Sequence, residues 1–287
     1  MSKTRRAPTN RGTKRCSQRR AEPVRYQIGT SGFMVSRKKW DQLHCLNCIE
    51  MNSSFYRLPS DKVISSLREN LPDGVGIVFK ASKYITHTKR LSEVEEAWNS
   101  FWDSISGVGA SRLKGVLFQL PPSMTLYRAG DGGSNLDRIV QLAKIVPKGL
   151  PVIFEFRHVS WLVPEVYKAF TKLGWCISGT YITKKEDNTS WIGTMPSGLY
   201  LPPRTCQYNY MRVHGSKGYK GSLSNVALKD IRKAMGKQAV SESFVFFNNT
   251  FFSNRSDFCQ VEVANGSVDV NSAAVCNAVD FSNLIKA

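Results

Sequence analysis

The chain has 287 residues, 41% of them apolar and 22% charged, with 40 Lys and Arg against 22 Asp and Glu. Length and composition describe a globular chain of one large domain or two small ones, carrying a net charge of +18. The longest apolar runs, such as 76–79 and 152–154, fall far short of the roughly 20 residues of a membrane helix, so neither a span nor a membrane partner is expected.

Residues 1–25 hold nine basic side chains, among them Lys14-Arg15 and Arg19-Arg20, against the single acid Glu22. A stretch with almost no large apolar side chains cannot bury enough surface to offset the entropy of ordering, which predicts a disordered basic arm. It suits a nuclear-type signal or a polyanion contact. An Arg-rich, acid-poor start also suits a transit peptide without an apolar face, and a solvated tail is the plain alternative. The seven cysteines, Cys16, Cys45, Cys48, Cys176, Cys206, Cys259 and Cys276, are odd in number, and the N-terminus has no apolar signal core. A reducing compartment is therefore expected in place of a disulfide scaffold, with an intracellular location in the nucleus or cytoplasm ahead of an organelle.

From residue 26 strand and helix patterns alternate. Strands are predicted at 26–30, 48–52, 76–81, 115–120, 152–157, 175–181, 208–214 and 243–249, several of them continuous apolar runs that suit parallel strands buried on both faces. Helices are predicted at 60–70, 91–105, 136–146, 164–173, 225–235 and 273–285, and 182–207 reads as an elaborated loop. Eight such units over 26–287 predict an α/β fold, a single TIM-type (β/α)8 barrel preceded by the disordered basic arm. A doubly wound open sheet is the runner-up, because spacing cannot show closure.

In such a barrel chemistry sits where strands end. Those ends offer Thr30-Ser31, Glu50 with Asn52 and Tyr56, Lys80, Gln119, Glu155 with Arg157 and His158, Arg212 with His214, and Asn248-Asn249. Side chains alternate along a strand, so Glu50 and Asn52, Glu155 and Arg157, and Arg212 and His214 each share a face. Charges on one face of an apolar strand need partners when buried. A set of structural salt bridges, Glu155 with Arg212 and Glu50 with Arg157, is one reading; a ligand-binding or catalytic ring is the other.

Gly-Thr-Ser-Gly at 29–32, Glu-Met-Asn-Ser-Ser-Phe-Tyr-Arg at 50–57, Phe-Lys-Ala-Ser-Lys-Tyr-Ile-Thr-His at 79–87 and Gln-Leu-Pro-Pro at 119–122 form one ordered series. Glu-Phe-Arg-His-Val-Ser-Trp at 155–161, Tyr-Met-Arg-Val-His-Gly at 210–215 and Phe-Phe-Asn-Asn-Thr at 246–250 complete it. The series resembles the YecE-like family, domain of unknown function 72, from residue 26 to about 280. The resemblance implies a TIM-barrel-like fold and no settled activity. One departure follows the sixth strand: where family members often carry an Asp, this chain has Ser178-Gly179-Thr180.

The residues suit two functions. As a hydrolase of a phosphate-bearing or nucleic-acid-derived substrate, the chain would use Glu50 and Glu155 as acid and base, with His214 as proton shuttle. Lys80, Arg157 and Arg212 would supply positive charge, and Asn52, Tyr56, Gln119, Asn248 and Asn249 directional contacts. His87 and His158 lie near the same ends, and Lys217 and Lys220 in a Gly-rich turn add a phosphate-type cradle. As a binding module, the same ring would hold a phosphorylated ligand or a nucleic-acid end without turnover. No metal is assigned, since Glu50, Glu155, His87, His158 and His214 lack a ligand-type spacing; the cofactor and the oligomeric state are left open. Cys45 and Cys48, after His44, read as core thiols, as Trp98, Phe101 and Trp102 read as core aromatics. Phe55-Tyr56 and Trp161 are candidates to stack on a sugar or base.

Overall fold

A computed structural model describes residues 24–130, 132–182, 193–215, 221–248, 259–264 and 266–287. Its main sheet contains β1 (Arg25–Ser31), β2 (Cys48–Met51), β3 (Gly76–Lys80), β4 (Leu113–Gln119), β5 (Val152–Glu155), β6 (Cys176–Ile177), β7 (Gly179–Ile182), β8 (Gly198–Tyr200), β9 (Tyr208–His214) and β10 (Glu242–Phe247). These ten strands run in the order β6-β5-β4-β3-β2-β1-β10-β9-β7-β8, all parallel except β8, which lies antiparallel on β7.

Runs such as Gly76-Ile-Val-Phe-Lys80 are buried at every residue, as expected of a parallel strand covered on both faces. The helices α3 (Asp61–Asn70), α4 (Glu95–Ser106), α5 (Leu136–Ile145), α6 (Pro164–Leu173), α7 (Asn225–Gly236) and α8 (Ala273–Lys286) each bury an apolar stripe. Trp98, Phe101 and Ile105 of α4, spaced by three and four, show the pattern. Caps fix the ends: Ser224 Oγ accepts from Ala227 N, and α6 begins with Pro164 and closes on Gly174 in the left-handed region (φ 68°).

The sheet curls. Cys48, Val78, Leu117, Ile153, Cys176, Tyr210, Phe244 and Phe246 form one apolar cluster on its inner face, separate from the larger core between the outer face and the helices. Side chains alternate across a strand, so a curled sheet needs two cores.

The eight predicted strands and six predicted helices have counterparts at these positions. The sixth strand, expected unbroken, is interrupted at Ser178, so that β6 pairs with β5 and β7 with β9. The short helices α1 (Arg37–Trp40) and α2 (Ser53–Tyr56), the π-helix Tyr84–Thr88, and the hairpin of β11 (Cys259–Val263) and β12 (Gly266–Val270) were not expected. The hairpin also corrects the cysteine reading, because it carries Cys259 back onto α8, where it is disulfide-bonded to Cys276. Cys45, Cys48, Cys176 and Cys206 are thiols, and Cys48 is enclosed as expected. Most of the basic arm, residues 183–192 of the elaborated loop, Lys217, Lys220 and Asn249 lie outside the described residues.

Candidate functional site

Alternation along the strands brings Ser31, Glu50, Lys80, Glu155, Arg212 and His214 together at the C-terminal strand ends, all of them buried. Arg212 is the hub. Its Nε and Nη2 donate to Glu50 Oε2 and Oε1 at 2.9 and 2.6 Å, and its Nη1 donates to Glu155 Oε2. Glu50 also accepts from Ser31 Oγ (2.7 Å) and Tyr210 Oη (2.6 Å). Glu155 also accepts from Arg157 Nη2 at 2.7 Å, His214 Nε2 at 3.2 Å and Gln119 Nε2 at 3.0 Å. Each of the four carboxylate oxygens thus meets two donors, which is what lets two charges stay buried.

Glu155 pairs with Arg212 as predicted. The second predicted pair is corrected: Glu50 meets Arg212, and Arg157 meets Glu155. The reason is reach, since Arg157 follows Glu155 by two residues, just beyond the end of β5, and Glu155 is the carboxylate beside it.

Burial alone would raise the Glu155 carboxyl, yet Arg157 and Arg212 outweigh it and hold the group well below the usual carboxylate range. His214 moves the other way: burial lowers it to about 4 against the opposing pull of Glu155. It is therefore neutral at pH 7. Asn248 Nδ2 donates to its Nδ1 (3.3 Å), which leaves Nε2–H to donate to Glu155. Lys80 is the group placed nearest neutrality. Burial lowers its amine to about 7, helped by Arg212 and Arg157 and opposed by Glu155 and Glu50. Its Nζ donates to Gln119 Oε1 (2.9 Å) and sits 4.0 Å from the centre of the Phe55 ring.

Phe55 builds an aromatic wall, with Tyr56 and His87 both edge-on to it at 5.0 Å. Tyr56 is 79% exposed. Thr86 Oγ1 donates to Ser82 O (3.0 Å) and so accepts from His87 Nδ1 (2.9 Å), leaving Nε2 as the ring acceptor. Burial lowers His87 to about 4, and Lys80, Lys83, Arg157 and Arg90 all push in the same direction. Two buried oxygens, Asn52 Oδ1 and Thr180 Oγ1, have no hydrogen-bond partner among the described residues. At the rim Gly193, at φ 65°, rests on the Arg157 carbonyl, where a Cβ would come within 1.9 Å; only glycine fits.

Two sequence candidates take other roles. His158 caps the short 3₁₀ helix Val159–Trp161, its Nδ1 accepting from Ser160 N at 3.2 Å. Trp161 is wholly buried, stacked on Phe156 at 4.5 Å with Nε1 donating to Met124 O, so it cannot stack on a ligand. Ser31 was named at its strand end without a role, and Tyr210, Lys83 and Arg90 were missed as site residues. Tyr210 was within reach of the alternation rule, being two residues before Arg212; Arg90 gave no signal, because a loop brings it to the rim. Among the described residues no three His, Cys, Asp or Glu side chains form a group able to hold a metal ion, and no helix is long and apolar enough to cross a membrane.

The family model described as protein of unknown function DUF72 matches residues 42–258. The chain belongs to the DUF72 family. Two solved DUF72 proteins share its fold. One, EF0366 from Enterococcus faecalis V583, superposes with a TM-score of 0.70 at 17% identity, covering 92% of this chain and 99% of its own. The other, TM1631 from Thermotoga maritima MSB8, gives 0.68 at 23% identity, covering 92% and 100%. No curated protein matches the chain.

Proposed function

We propose that this DUF72 protein binds a phosphate-bearing ligand at the C-terminal rim of its sheet and hydrolyses it there. The supporting observation is the field at His87, where Lys80, Lys83, Arg157 and Arg90 all act as positive charges. Glu50 and Glu155 offset Arg212 and Arg157, to which they are bonded beneath the rim, and Lys83, Arg90 and protonated Lys80 remain as the surplus. A concave rim with surplus positive charge concentrates anions.

We further infer that the sheet closes into a TIM-type barrel. β6 and β7 are separated by Ser178 alone, β5 pairs with the first and β9 with the second, and Arg212 on β9 reaches Glu50 on β2 across the inner face. Closure gives the rim the character of a barrel mouth, the usual place for chemistry in that fold. Hydrolysis would use Lys80, placed near neutrality, to take the proton of the attacking water. Glu50, Glu155 and His214 would then act as positioning residues, holding Arg212, Arg157 and Gln119 in place. A binding module is the second reading, favoured by carboxylate oxygens that are all engaged already.

Calorimetric titration with inorganic phosphate, together with turnover of p-nitrophenyl phosphate, tests both. Phosphate should bind at low salt and weaken as salt rises, and Arg157→Met should weaken it at least about tenfold, the loss of one charge-assisted contact. Lys80→Met should abolish turnover while phosphate still binds. Binding without turnover in the unaltered protein favours the module; no phosphate binding at low ionic strength removes both readings.

A further inference from the structure

At the opposite, N-terminal end of the sheet, far from the rim in every strand, two thiols meet. Cys176 opens β6, and Cys206 lies two residues before β9. Beyond the break at Ser178, β6 still lies against β9. Thr205 Oγ1 donates to Trp175 O at 2.6 Å, tying together the residues next to the two cysteines. Cys176 belongs to the inner apolar cluster and Cys206 packs against it.

The two sulfurs differ in access. Cys176 is 3% exposed, whereas Cys206 is half-buried and lines an open cleft of about 430 Å³ with Arg204, Gln207 and Tyr208. They differ in acidity too. The neighbouring Cys176 lowers Cys206 below its ordinary range against the effect of burial, and Tyr208 and Arg204 add to the lowering. Burial pushes Cys176 well above its range, and the nearby Cys206 adds to that. One accessible, more acidic thiol beside one enclosed thiol is the division of labour of a dithiol redox site.

We propose that Cys206 and Cys176 form a redox-active thiol pair in which Cys206 attacks a hydroperoxide entering the cleft and Cys176 then closes a disulfide. A small uncharged oxidant suits a sulfur that is only half open. In the first step the Cys206 thiolate attacks one peroxide oxygen, the O–O bond breaks, and the leaving oxygen takes a proton from solvent to depart as water or an alcohol. Cys206 is then a sulfenic acid. In the second, the Cys176 sulfur attacks the Cys206 sulfur, the S–S bond forms, the S–O bond breaks, and the hydroxyl leaves as water with the Cys176 proton. A low-molecular-weight thiol returns the pair to the reduced state, two of its molecules ending as their own disulfide.

The test uses the full chain, reduced and then exposed to one equivalent of hydrogen peroxide, with peptide mass mapping. A Cys176–Cys206 linked peptide should form and disappear on adding dithiothreitol. In Cys176→Ala, dimedone should label Cys206 as the trapped sulfenic acid. Iodoacetamide at pH 7 should modify Cys206 at least about tenfold faster than Cys45, which is also half-buried but whose thiol burial pushes up. Cys206→Ser, at a partly open position, keeps the fold and should leave Cys176 unmodified by peroxide. The proposal fails if the linked peptide is absent while circular dichroism shows a folded chain, if Cys206 pairs elsewhere, or if Cys45 reacts faster.

Discussion

The amine of Lys80 and the ring of His214 are both held toward their neutral forms by burial, and each leaves a mark on stability. A free lysine keeps its proton up to about pH 10.5, whereas folded Lys80 releases it at about 7. Between those values the unfolded chain holds a proton that the folded chain lacks, so stability from this group rises with pH across the window and is smallest below it. Thermal melts from pH 7 to 10 should show that rise, and Lys80→Met should flatten it; a slope unchanged by the substitution would place the amine in open solvent. His214, lowered from 6.5 to about 4, behaves likewise at lower pH, with stability lost as pH falls from 6.5 to 4. Glu155 has the same sign at still lower pH, because its folded value too lies below the unfolded one. Its depressed carboxyl contributes stability above the unfolded value and loses it as acid protonates the folded group. Glu155→Gln sets Arg157 and the Nη1 of Arg212, which keeps Glu50, against a neutral amide, which should cost about 3–5 kcal/mol in urea denaturation, the range for breaking a buried pair.

At the scale of elements, the stretch between β3 and α4 holds the rim in shape. It contains the π-helix Tyr84–Thr88, with Lys89 N donating to Tyr84 O at 2.8 Å, and then Arg90, Leu91 and Glu93 at φ 48°, 61° and 49°. Left-handed backbone at such residues costs about 1 kcal/mol each, and persists only where packing over-determines it. Leu91 and Val94, both buried, supply the packing, and Arg138 Nη1 donates to Arg90 O at 3.1 Å. The same stretch sets His87 against Phe55 and carries Arg90 to Ser123 Oγ (3.0 Å) in the turn that follows β4. Exposed Glu93 gives a clean test. Glu93→Gly should hold or raise stability by up to about 1 kcal/mol, whereas Glu95→Gly in the first turn of α4 should lower it by about as much. Equal losses at both positions, measured by urea denaturation, would mean that Glu93 is unstrained.

For the whole molecule, charge is unevenly placed: residues 1–24 hold eight basic side chains and Glu22, so +7 of the total +18 precedes β1. Removing them should leave the melting temperature unchanged, because the segment has almost no apolar side chains to bury. It should also reduce both the affinity of the protein for single-stranded nucleic acid and the salt dependence of that affinity, since each phosphate contact adds to the slope. An identical slope in filter-binding titrations would make the arm inert. The alternation of apolar strand runs with amphipathic helices was legible in the chain because each pattern is set by local periodicity and by burial of one face. Glu50, Lys80, Gln119, Glu155, Arg157, Arg212 and His214 were legible as one site for the same reason: polar side chains ending otherwise apolar strands must converge. Pairing was legible only in part: Glu155 with Arg212 was offered, but the partners of Glu50 and Arg157 were not. Whether Arg212 or Arg157 meets Glu50 depends on reach across the curled sheet, and the meetings of Cys259 with Cys276 and of Cys176 with Cys206 depend on hairpin path and strand register. The sequence by itself determined which residues share a face; only the tertiary structure decided which of them touch, because contacts between strands far apart in the chain are set by curvature and register, which no local pattern encodes.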